Sequence, residues 1–198
     1  MNYFIRNITV LLIFISTLPF FVSAEQPREA IINCAPQFQN CMEKILKIPE
    51  LKQLLTFIKK DGAIHILPKH SELTKQFGAF WDPDRRIIYV DIIDKNEGLT
   101  IGSIIFELHN ASVNAQIIHL NKLASQGKIN KENYIESMEH IEYINSINAS
   151  KIASKGIKKG IFPKEAFLPT YSSFREHFQA QINSGHSACF GRNFELCR

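Results

Sequence analysis

An α+β fold is predicted, mainly helical, with a small antiparallel sheet packed on a central buried helix. Three observations predict it. Apolar residues recur at helical spacing on both sides of the middle of the chain. Between those stretches, residues 79–92 read as two short strands around a turn. The segment that starts at Thr100 is apolar on nearly every side, as a helix covered by both a sheet and other helices must be.

The first residues read as a targeting segment. Arg6 supplies the positive charge, Val10 to Val22 is an apolar run interrupted by Ser16, Thr17 and Pro19, and Val22-Ser23-Ala24 offers the small residues of a cleavage site. The reading is a signal peptide over residues 1–24 and one globular domain over 25–198, secreted or periplasmic. An uncleaved anchor is the other reading. The apolar run is short for a span of ~20 residues and contains a helix breaker. No later stretch is apolar enough to cross a bilayer.

Gln37 to Lys47 has helical spacing through Phe38, Cys41, Ile45 and Leu46. Pro49 opens a second helix with Leu51, Leu54, Leu55 and Ile58 inward, stopped by Asp61-Gly62. Ala63 to Leu67 is a strand, and Leu73 to Phe77 a loop or short turn. Ala79 to Trp81 and Arg86 to Ile92 form a hairpin across Asp82-Pro83-Asp84-Arg85, which is turn chemistry. Thr100 caps the central helix, which carries Ile101, Ile104, Ile105, Leu108, Ala111, Ala115 and Ile118 and ends at Gly127. Asn130 caps a helix running to about Ser154, with Tyr134, Met138, Ile141, Asn145, Ala149 and Ile152 as its stripe. A last helix follows Pro169 through Tyr171, Phe174, Phe178 and Ile182. Gly185 ends it, and a cysteine-bearing tail follows.

The composition, 45% hydrophobic and 21% charged, argues against disorder. Much of the net charge of +4 lies in Lys151, Lys155, Lys158, Lys159 and Lys164, read first as a solvated helix end and second as a contact for an anionic surface. No aromatic residues interleave with these lysines as single-stranded nucleic acid would require, so no nucleic-acid partner is expected. There is no glycine-rich phosphate loop, and no elbow motif surrounds Ser103 or Ser112. The four cysteines, Cys34, Cys41, Cys189 and Cys197, would meet an oxidising compartment after export, so two bridges joining the chain ends are expected. If residues 34–41 are helical, Cys34 and Cys41 stand ~10 Å apart, too far to bond to each other. Zinc binding is the second reading of these cysteines, without a close Cys-x-x-Cys pair to support it.

Polar groups in apolar helices need a reason. Glu107, His109, Asn110 and Asn114 lie on the central helix, and Glu139, Glu142 and Asn145 lie on or beside the apolar stripe of the next. Asn114 lies on the same side as Glu107 and Asn110, and if the two helices pack antiparallel, Glu107, Asn110, Asn114, Glu142 and Asn145 converge. Facing carboxylates must then share a proton, bind a cation or be held apart by donors. Glu107 and Glu142, with His109, are the candidates for acid–base chemistry; Asn110, Asn114, Glu139 and Asn145 are the candidates for binding.

A strand followed by a helix bearing Phe106-Glu107-Leu108-His109-Asn110 resembles the core of the zincin metallopeptidases, whose HExxH helix supplies two zinc ligands and a general base. The resemblance covers about Phe77 to Tyr143. It implies a zincin-like fold in which Glu107 matches the general base, Phe106 and Asn110 stand at the two ligand positions, and Glu139 or Glu142 matches a third ligand by position. Phe cannot bind zinc and Asn binds it poorly, while His109 is turned ~100° from the second ligand position. The histidines at 65, 70, 119, 140, 177 and 186 form no close helical pair. No metal and no cofactor are therefore expected. The leading expectation is an exported non-catalytic domain with a binding or interaction role toward an unknown protein. The alternatives are a hydrolase using Glu107 with Glu142 or a nearby histidine, and a host- or envelope-directed factor acting through its basic patch.

Overall fold

The computed structural model describes residues 32–92 and 96–198; the targeting segment expected over residues 1–24 lies outside the described residues. The chain runs β1 (Ile32–Cys34), α1 (Gln39–Leu46), α2 (Pro49–Ile58), β2 (Ile64–Pro68), α3 (Glu72–Phe77), β3 (Ala79–Asp82) and β4 (Ile87–Val90). It continues with α4 (Glu97–Ser112), α5 (Asn114–Ser125), α6 (Lys131–Lys158), α7 (Phe174–Ser184) and α8 (His186–Cys197). The mainly helical α+β class is as expected, but the sheet is mixed rather than antiparallel. Its order is β1-β2-β4-β3, with β1–β2 and β2–β4 parallel and β3–β4 antiparallel. Parallel pairing follows from the connections: α1 and α2 carry the chain back between β1 and β2, and helical crossovers leave strands parallel.

The β3–β4 hairpin forms where turn chemistry places it, with Asp82 Oδ1 accepting from the Arg85 N–H at 3.0 Å. Arg86 has a φ of 55°, unusual for a side chain with a Cβ. Its guanidinium offsets this by donating to the carbonyls of Ile58 at 2.8 Å, Ala63 at 3.2 Å and Gly62 at 3.3 Å. Alternation turns Ile64, Ile66, Ala79, Trp81, Ile88 and Val90 inward. α4 lies across this face and also contacts α1, α2 and α6. Ile101, Ile104, Ile105 and Leu108 on it are fully hidden, each worth about 1.5–3 kcal/mol of burial. A Cβ at Gly98 would come within 2.9 Å of the Ala166 amide nitrogen, so the start of α4 lies directly on the 164–166 backbone.

Several boundaries differ from the sequence reading. Asn96, not Thr100, caps α4 by accepting from the Leu99 N–H. The stretch read as one helix to Gly127 breaks at Val113. There Ser112 Oγ–H donates to the His109 carbonyl, a local bond that competes with the helical ladder. Residues 72–77 form a short helix, not a loop, because Ser71 and Thr74 make a capping box. The tail after Gly185 is the helix α8.

The four cysteines are free, so the bridges expected between the chain ends are not formed in this structure. α1 contacts α2 and α4, whereas α8 contacts α5, α6 and α7. The distance argument that separated Cys34 from Cys41 also fails, because Cys34 ends a strand rather than sharing a helix with Cys41. Burial pushes the Cys34 thiol up to about 11, and the nearby Cys41 thiol adds to the shift.

Candidate functional site

α4 and α6 pack side by side and bring together four of the side chains singled out from sequence. Asn110 Nδ2 donates to Glu107 Oε2 at 3.0 Å, and Asn145 Nδ2 donates to Asn110 Oδ1 at 2.8 Å. The Asn110 amide also serves Glu142. All four groups are buried, Glu107 being 6% and Glu142 8% exposed. Position dictates this: Glu107 and Asn110 are one turn apart on α4, and Glu142 and Asn145 one turn apart on α6.

Burial pushes Glu107 up to about 7, against the hydrogen bonds of Asn110 and the Trp81 backbone and the pull of His186. Burial likewise pushes Glu142 up to about 8, with the Glu107 charge acting in the same direction. The two titrate as a pair, and near neutral pH the pair retains protons.

Glu139, one turn before Glu142, belongs to a second polar group. Its carboxylate is fully hidden and accepts from Ser187 Oγ–H at 2.7 Å, while His186 Nδ1 lies 3.0 Å and His177 Nε2 3.2 Å from its two oxygens. Burial alone would raise Glu139, but these partners hold it down at about 2. His186 and Ser187 open α8, whose N-cap is Gly185 and has no side-chain cap. Glu139 therefore brings a negative charge from another helix to an uncapped helix N-terminus, where the helix dipole favours it. Burial lowers the His186 pKa, but its attraction to Glu139, Glu142 and Glu107 outweighs this and raises it. His186 thus links the two polar groups.

The other two sequence candidates stand apart. His109 is buried with Nδ1 at 2.8 Å from the Ile105 carbonyl oxygen, a contact with its own helix, and burial lowers its pKa. Asn114 begins α5, beyond the break at Val113, and its Oδ1 accepts from Trp81 Nε1–H at 2.9 Å. Sequence reasoning did not assign roles to Trp81, His177, His186 or Ser187. A signal for α8 was present: Phe190, Phe194 and Cys197 repeat at helical spacing after Gly185, which would have placed His186 and Ser187 in a first turn.

The donor set does not fit zinc. Phe106 has no lone pair to offer, the Asn110 amide is engaged by Glu107 and Asn145, and both Glu139 oxygens are engaged by side chains of α7 and α8. Among the described residues, no group of three His, Cys, Asp or Glu is placed to hold a metal ion. Two surface depressions open elsewhere. One, of about 300 Å³, lies beside Phe38, Cys41, Asp91 and Glu97; the other, of about 380 Å³, lies along α2 beside Phe57. Among the described residues no helix is long and apolar enough to cross a membrane.

Comparison with protein-family models, with curated proteins and with solved structures finds no match to this chain.

Proposed function

We propose that the chain is an exported, non-catalytic zincin-like domain that acts by binding a protein partner. The observation that carries this reading is the state of Glu107. At the position of a general base it is buried, accepts from the Asn110 amide, and is flanked by Phe106 and Asn110 at the two ligand positions. A general base must reach the proton it removes, and this carboxylate lies under packed side chains. Large apolar side chains that stay exposed, Phe57 and Phe167 among them, suit a binding role. The hydrolase alternative draws support from the raised pKa values of Glu107 and Glu142 but none from access. The basic-patch alternative is weakened because Lys155 is paired with Glu50 at the start of α2.

The test uses the purified full chain supplied with zinc and a mixed peptide library. It should retain no stoichiometric zinc and cleave no peptide. One tightly held zinc per chain, or turnover lost in Glu107→Gln, would overturn the proposal. The zincin-like frame has its own test. Replacing Phe106 and Asn110 together by His should create zinc affinity absent from the parent chain. A folded double variant that binds no more zinc than the parent would count against that frame.

A further inference from the structure

His186 is surrounded on every side by groups that respond to its charge. From α6 come Glu139, 3.0 Å from Nδ1, and Glu142; from α4 comes Glu107. From α7 comes His177, which shares the Glu139 carboxylate. From its own helix come Ser187, on the same carboxylate oxygen, and the Phe190 ring at 5.0 Å between centroids. The Phe77 ring, at the end of α3, meets the imidazole edge to face at 4.9 Å.

Of the two elements that carry these histidines, α7 has the weaker hold, while α8 beyond its first turn is anchored in the core by Phe190 and Phe194. α7 buries only His177 along its length. α7 joins α8 directly through Gly185, whose φ of 81° lets one helix end as the next begins. Both helices touch α6. Three polar contacts between this hairpin and α6 converge on the Glu139 carboxylate, and a further one, Lys131 Nζ to Glu195 Oε1 at 2.8 Å, joins α6 to the far end of α8.

We propose that the α7–α8 hairpin, as far as the first turn of α8, is a proton-controlled cover over the buried carboxylate–amide cluster, with His186 as its pin. In mildly acidic solution the imidazolium balances Glu139, and Glu107 and Glu142 hold protons, so the buried group is close to neutral. As protons leave, His186 loses its charge and Glu107 and Glu142 gain theirs. Three negative charges then share a space without a balancing cation. Water is the available relief, and it enters when the hairpin lifts, since a buried unpaired charge is far more costly than an opened helix contact. This inference rests on the helix packing and stands whether or not the domain is catalytic.

Hydrogen exchange on the full chain, read by mass spectrometry at pH 6 and pH 9 and corrected for intrinsic amide rates, tests it. Protection over residues 174–189 should fall about tenfold or more at pH 9, while β2, β4 and the later turns of α8 keep theirs. In His186→Gln, the hairpin should already be weakly protected at pH 6. Equal loss of protection throughout the chain would mean global unfolding and would overturn the proposal. So would a hairpin whose protection is the same at both pH values, or a folded His186→Gln that keeps the parent pH response. The parent chain alone decides the main question should the variant fail to fold.

Discussion

Glu139 and Glu142 lie one turn apart on α6, both hidden from water, yet their acidities are driven in opposite directions. Burial raises each; the sign of the outcome is set by the partners. Glu139 has a serine hydroxyl, two imidazoles and a helix N-terminus arranged around it, and is held at about 2. Glu142 has a share of the Asn110 amide and faces the Glu107 carboxylate, and is raised to about 8. Two polar regions of one helix are thus built on different principles. One is a satisfied anion that joins three helices, and the other is an acid pair that stays buried by keeping its protons.

The largest effect is expected where the anion is removed. Glu139→Gln keeps the shape but leaves protonated His186 buried without its counter-charge, and should destabilise the fold by about 3–5 kcal/mol in urea unfolding at pH 6. A change below about 1 kcal/mol would mean that His186 is neutral there and that the contrast with Glu142 is not one of charge.

Stability against pH sharpens the comparison next. Glu139 is depressed below its ordinary value of 4.5, so its contribution is present above that pH and is lost as pH falls toward 2. Glu107 and Glu142 are raised, so the folded state binds more protons than the unfolded chain from about 4.5 upward. Stability therefore falls as pH rises through about 7 and 8. His186, also raised, contributes stability below its ordinary value of 6.5 that is lost as pH climbs through its folded value. All these slopes place the most stable point near pH 5. Thermal unfolding between pH 4 and pH 9 should show a maximum there and a decline on the alkaline side. A maximum at pH 8 would contradict the protonated acid pair.

Glu142→Gln should behave in the reverse sense to Glu139→Gln. It removes a group that resists ionising, so the variant should match the parent at pH 5 and exceed it by about 1–2 kcal/mol at pH 8.5. Equal loss of stability at both pH values would make Glu142 a structural anchor like Glu139.

The acid pair was legible in the sequence and the anion site was not, for a physical reason. Glu107, Asn110, Glu142 and Asn145 sit on long, unbroken helical stretches, so their faces follow from counting turns once the helices pack side by side. The partners of Glu139 come from α7 and α8, more than 35 residues further along. Nothing local announces a contact at that separation. The strand β1 was missed because three residues carry no period. The break at Val113 was hidden because the apolar pattern continues through it, while the change lies in the backbone, where Val113 leaves helical geometry with φ −108° and ψ 20°.

The smallest expected effect separates direct support from support through a neighbour. Asn145 donates to Asn110 Oδ1 and so fixes which end of the Asn110 amide faces Glu107. Asn145→Ala should lower stability at pH 5 by about 1 kcal/mol, the net value of one buried amide bond. It should also steepen the alkaline decline, because an Asn110 free to turn no longer holds its N–H toward Glu107, and that carboxylate then ionises at still higher pH. A variant that loses stability equally at every pH would show that Asn110 keeps its orientation unaided. The Asn110 amide would then go on lowering the proton affinity of the acid pair without help from Asn145.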